Sequence, residues 1–200
     1  MRPPDMPELD VPCVTTIDTC AVAGIAQATL QAWLSREPAV ILLRKHDRGA
    51  AGPALGFLLT LRRVLQIALT AELTRLGVTR QRAGNLAALF TDQGGEKPAD
   101  WRSHPDFQVR VAGHLFPSNG TVLVANMDGR FDRIVTAVLN APYAEVIGQR
   151  KCGTLVVDLD ALVTRVVVTL RLPVQQIVQA PETTSLHYAP QEPAMQGRPN

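Results

Sequence analysis

The stretch that most limits the fold is residues 15–35, TTIDTCAVAGIAQATLQAWLS. Its spacing predicts two short helices joined by a tight turn at Gly24 and Ile25. Ile17, Cys20 and Ala21 recur at helical spacing before the turn, and Ala26, Leu30, Trp33 and Leu34 after it. Gly24 stands where such a turn needs a positive φ, which glycine adopts without a Cβ clash. Cys20, four residues earlier, falls where two crossing helices leave room only for a small side chain. Ile25, Leu30 and Trp33 make the apolar side of the second helix, leaving Gln27, Thr29, Gln31 and Ser35 outward with no carboxylate among them. That is the pattern of a helix-turn-helix whose second helix enters a DNA major groove. It fits equally a helical hairpin that packs and touches nothing.

Composition bears on this choice through its distribution. A chain of 200 residues holds one large or two small domains, and with 46% hydrophobic but only 4% aromatic residues its core must be filled by aliphatic side chains. The net charge of +2 announces no nucleic-acid binder by itself. Residues 36–82, however, carry nine basic side chains (Arg36, Arg44, Lys45, Arg48, Arg62, Arg63, Arg75, Arg80, Arg82) against three acidic ones (Glu37, Asp47, Glu72). A cationic patch beside a helix-turn-helix is the footprint expected of phosphate contact.

The chain order supports a wing. Residues 1–12 hold four prolines and little to bury, which predicts a disordered leader. Pro38 ends the second helix. The aliphatic run 39–44 and the run 56–59, GFLL, flank the basic, glycine-rich KHDRGAAGPALG. Two strands around that loop form a hairpin with Lys45, His46 and Arg48 at its tip, near phosphates. Thr60 is an N-cap for a helix to about Leu76, with Leu61, Val64, Leu65, Ala68, Leu69, Leu73 and Leu76 inward. Arg62 and Arg63 fall in its first turn, where the helix dipole disfavours cations, so an anion outside is implied. Gly77 closes the helix, and Thr79 caps another to about Phe90, with Ala83, Leu86, Ala87 and Phe90 inward.

Helix, turn, helix, basic wing, the helix LRRVLQIALTAELTRLG and a further helix from Thr79 together resemble the winged DNA-binding domain of MerR-family regulators, over about residues 14–91. The family's Arg-x-Tyr entry to the third helix is replaced by Phe57, Leu58 and Leu59, and its tyrosine pair, long dimerising helix and cysteine cluster are missing. The resemblance thus implies DNA binding without metal sensing or the family's coiled-coil dimer.

Residues 92–106 are polar, with Gly94, Gly95, Pro98 and Pro105, and read as a linker; Trp101 within it either docks on a domain or marks a contact site. Beyond Phe107 the period becomes two. Residues 107–112, 121–127 and 155–157 read as strands, with 131–141 helical in spacing although its β-branched content permits a strand. Asp158 caps a helix to about Leu170 with Leu159, Leu162, Val163, Val166 and Leu170 inward. Residues 107–178 then form a small α/β domain, marginal alone and expected to self-associate or bind an effector or protein partner, and 179–200 a disordered tail.

Nothing in the sequence forms a catalytic constellation. His46, His104, His114 and His187 lie far apart, and Asp158 and Asp160 are explained by a helix start. Cys13, Cys20 and Cys152 lack disulfide or zinc spacing; Cys20 and Cys152 read as apolar fillers, or Cys152, beside Arg150 and Lys151, as a reactive thiol. No secretory h-region opens the chain, and the aliphatic run 162–172 is too short to span a bilayer.

The expectation is an α+β protein, a winged helix-turn-helix at 13–91 plus a small α/β domain. It has no enzyme activity, cofactor, metal or membrane, and resides in the bacterial cytoplasm or nucleoid. As a dimer or multimer it would bind double-stranded DNA as a transcriptional regulator. Gln27, Thr29 and Gln31 would read base edges; Ser35, Arg36, Arg44, Lys45, His46, Arg48, Arg62 and Arg63 would complete the contact. The alternatives are a mobile-element or phage accessory DNA-binder, excisionase-like or terminase-like, and a protein-interaction module that binds no DNA.

Overall fold

The computed structural model describes residues 9–50, 57–94, 110–116, 120–126, 132–137 and 153–172. Among these are five α-helices and two small antiparallel sheets, an α+β architecture. In chain order they are β1 (Pro12–Thr15), α1 (Thr16–Ala23), α2 (Gln27–Ser35), a 3-10 turn (Lys45–Asp47), β2 (Arg48–Ala50), β3 (Phe57–Thr60), α3 (Leu61–Arg75) and α4 (Arg80–Thr91). Then follow β4 (Gly120–Asn126), β5 (Arg133–Ala137), β6 (Thr154–Asp158) and α5 (Leu159–Thr169).

The sequence-predicted turn forms as the glycine demands. Gly24 adopts φ 62° and ψ 41°, and the N–H groups of Gly24 and Ile25 close the end of α1 onto Ala21 and Cys20. Thr15 caps the other end, accepting the Asp18 N–H at 3.1 Å. The buried face of α1 matches the predicted one only at Cys20. Thr16, Thr19, Cys20 and Ala23 point inward, whereas Ile17 is 63% exposed and Ala21 also faces out. Thr19 is tolerated because its hydroxyl donates to the Thr15 carbonyl at 2.8 Å. On α2, Leu30 and Trp33 are buried as expected.

Helix α3 is the hub. Thr60 caps it, accepting the Arg63 N–H at 3.3 Å, and Leu61, Val64, Leu65, Ile67, Ala68, Leu69, Ala71 and Leu73 are all buried. Its neighbours are α1, α4, α5, β1 and β3, so burial extends around the helix well beyond a single stripe. Leu76 lies past the helix end and is exposed. Gly77 follows with φ 89°.

The first sheet has the order β1-β3-β2, with β3 central. Pro12 pairs with Thr60 and Arg48 with Leu59. Two sequence expectations are corrected here. Residues 39–44 are not a strand; the strand opposite β3 starts at Arg48. The tip of that hairpin, 51–56, lies outside the described residues, and Lys45 and His46 occupy the 3-10 turn before β2 instead. Nor is the start of the chain featureless up to residue 12. Leu9 is buried and its carbonyl accepts the Arg62 N–H.

The second sheet has the order β5-β4-β6, with Val122 opposite Val135 on one side and Asp158 on the other. Residues 133–137, whose sequence left helix and strand both open, form β5; the β-branched Ile134, Val135 and Thr136 suit a strand. Residues 110–112 are not a strand. Asp158 caps α5 as its sequence predicts, accepting the Ala161 N–H at 3.0 Å. Leu115, Leu123, Ala125, Val157 and the inner side of α5 join the same buried cluster as α1, α3 and α4. Trp101, His104, Cys152, His187, the bulk of the predicted linker and the tail lie outside the described residues.

Candidate nucleic-acid interface

The site begins with what α2 leaves uncovered. Leu30 and Trp33 anchor the helix, so 3.6-residue geometry turns Gln27, Gln31 and Ser35 to solvent, with Thr29 half-buried at the margin. The Ser35 hydroxyl donates back to the Gln31 carbonyl at 2.8 Å. Arg36 caps the helix end and is exposed.

The chain then folds back under α2. The N–H groups of Val40 and Ile41 both donate to the Trp33 carbonyl, at 3.0 and 3.2 Å. Ile41 is buried, while Leu42 is exposed. Gly84, in the middle of α4, permits this fold-back: a Cβ there would stand 2.2 Å from the Val40 carbonyl oxygen. Leu34, residues 39 and 41–43, Arg44, Lys45 and Arg48 line a cleft of about 340 Å³. The end of α2 and three cations therefore share one groove.

Arg44 is 57% exposed and rests 3.5 Å from Asp92. Lys45 and His46 are exposed. Arg48 is exposed and lies over the Phe57 ring at 4.6 Å, which stiffens its aliphatic stem without consuming its charge.

Arg62 and Arg63 do not belong to this surface, and the expectation that they anchor phosphates is corrected. Arg63 is 1% exposed and lies between two carboxylates. It donates to Asp47 at 2.8 Å, to Asp92 at 2.8 and 2.5 Å, and to Gln66 at 2.5 Å. Burial opposes charge on Arg63, but the hydrogen bonds to Asp92 and the fields of Asp92 and Asp47 outweigh it, leaving the guanidinium above its ordinary pKa. Asp92 is likewise disfavoured as an anion by burial yet held below the usual carboxylate range, chiefly by Arg63. Arg62 forks onto Asp10 at 2.5 and 2.8 Å and donates to the carbonyls of Thr91 and Ala112. The anion that two arginines in a helix's first turn call for is supplied by the chain itself.

Other members of the basic run are also engaged. Arg75 contacts Glu72 at 2.6 Å and donates to the Ala23 carbonyl at the end of α1. Arg82 bonds the Asn126 carbonyl and Asp132. Sequence reasoning missed Arg110 altogether. It is 2% exposed, donates to the carbonyls of Leu89, Phe90 and Gln93, and so satisfies the end of α4. With no carboxylate bonded to it among the described residues, burial pushes its pKa down to about 10. The only local hint was a lone arginine in an otherwise apolar segment.

Among the described residues no group of His, Cys, Asp or Glu could hold a metal ion, and no helix is long and apolar enough to cross a membrane. Neither family models nor curated proteins match the chain.

Proposed function

We propose that the protein binds double-stranded DNA as a sequence-specific transcriptional regulator, with α1 and α2 acting as a helix-turn-helix and the β2–β3 hairpin as its wing. The observation carrying this reading is the shared groove, in which the end of α2 meets Arg44, Lys45 and Arg48. An uncharged polar helix face suits base edges: glutamine pairs bidentately with adenine, and a threonine methyl touches thymine. Gln27 and Gln31 are the principal readers, with Thr29 and Ser35 beside them. Arg36, Arg44, Lys45 and Arg48, with His46 alongside, contact phosphates and supply affinity without sequence choice. One such surface is small for specific binding, so two copies on paired half-sites are required, associating through residues 107–178.

Selection of bound sequences from a random duplex pool, followed by mobility shift, tests this. The expected result is an enriched motif whose preference blurs in Gln31→Ala. Recovery of no motif overturns sequence specificity.

A further inference from the structure

The three cations at the groove flank a residue that points the other way. Asp47 closes the 3-10 turn, and its side chain is fully buried. Its carboxylate accepts the Arg44 backbone N–H at 2.6 Å, while its own N–H donates to the Arg44 carbonyl at 3.0 Å. The same carboxylate takes Arg63 Nε at 2.8 Å and the Thr60 hydroxyl at 3.5 Å. Both of those partners come from the start of α3, the best-buried of the described helices. A second tie runs through Asp92, which receives the Arg63 fork and also faces Arg44 at 3.5 Å.

Resting on the DNA-binding reading, we propose that Asp47, held by Arg63, is the positioning residue that presents Arg44, Lys45 and Arg48 to a phosphate backbone. Burying Asp47 fixes the end of the turn, so the residues on either side are directed to solvent at set places before DNA arrives. Long cationic side chains lose conformational entropy when immobilised on a ligand, and a preformed backbone reduces what must be ordered on binding. The arrangement also explains why a buried ion network sits directly beneath an exposed cationic segment: the Asp47 carboxylate fixes the segment's backbone, and neither network carboxylate is bonded to Lys45 or Arg48. Arg44 alone feels Asp92, at a distance that a phosphate can outcompete.

The test uses the full chain and a fluorescent duplex of mixed sequence, with anisotropy read across a salt series. Asp47→Asn is expected to lose at least about fivefold in affinity per folded protein, and its log–log salt slope to shrink by about 2, as cations leave phosphates. In an Arg44→Ala, Arg48→Ala background the same change is expected to cost much less, because only Lys45 of the three positioned cations remains for it to act through. Arg63→Lys, which keeps the buried charge and drops the planar fork, carries the same expectation should Asp47→Asn not fold. Wild-type affinity and slope in these variants, or a loss that multiplies undiminished in the double-alanine background, overturns the positioning role alone. A wild-type chain that ignores duplex DNA overturns the DNA-binding reading beneath it.

Discussion

Two arginine-bearing regions, the 44–48 segment and the first turn of α3, look alike in sequence and differ sharply in burial in the folded molecule, although Arg44 and Arg63 both face Asp92. Arg44 and Arg48 stand in solvent, while Arg63 is buried between Asp47 and Asp92 and Arg62 is tied to Asp10. The difference lies in where acidic partners fall after folding, not in the basic residues themselves. Asp10 and Asp92 lie 52 and 29 residues from the arginines they meet, too far apart for any local count of charge to pair them. A cationic run in a sequence is therefore an upper limit on a cationic surface.

The sharpest way to break the comparison is to remove one arginine from each region. Arg63→Met leaves Asp47 and Asp92 without their common partner, and a buried pair broken on one side costs about 3–5 kcal/mol; urea unfolding measures it. Next in size is Gly84→Ala, which strikes the support behind the exposed segment. The added Cβ meets the Val40 carbonyl, and such overpacking costs about 1–3 kcal/mol, seen as a lowered denaturation midpoint. Smallest is Arg48→Ala, an exposed change within about 0.5 kcal/mol of wild type. If Arg48→Ala destabilised as much as Arg63→Met, the contrast between the regions would vanish.

Acid titration sharpens the same contrast. Asp10 and Asp92 have pKa values lowered from 3.8 by their arginines. They contribute stability that is complete above that value and lost as pH falls through the lowered folded values. His114 is depressed from 6.5, mainly by burial, so its contribution is present above 6.5 and lost on acidification below it. Asp160 opposes the trend, raised above 3.8 by burial near Asp158. Stability measured against pH is expected to begin declining below 6.5 and to fall further below about 3.8. Asp92→Asn removes one component of the second fall.

Much of the fold was legible locally. Thr60 and Asp158 cap helices, Gly24 turns left-handed, and the aliphatic spacing of α3 and α5 locates both helices. These signals depend on neighbours within four residues. The errors came where the deciding partner was remote. Residues 39–44 read as a strand because they are aliphatic, but they fold back on Trp33 instead. Residues 133–137 were left open between helix and strand by local pattern, and pairing with β4 decides for the strand. Within the candidate site, Gln27, Gln31 and Ser35 were identified from their spacing, since burial of Leu30 and Trp33 fixes which side remains outside. Asp47 went unrecognised because its partners, Arg63 and Thr60, lie in another element.

The salt dependence of duplex binding tests the central claim most directly. With Arg36, Arg44, Lys45 and Arg48 as the phosphate contacts, affinity is expected to fall with a log–log slope of about −3.6 per bound subunit, reduced to about −1.8 by Arg44→Ala with Arg48→Ala. A slope near zero, or one that the double substitution leaves unchanged, contradicts the account.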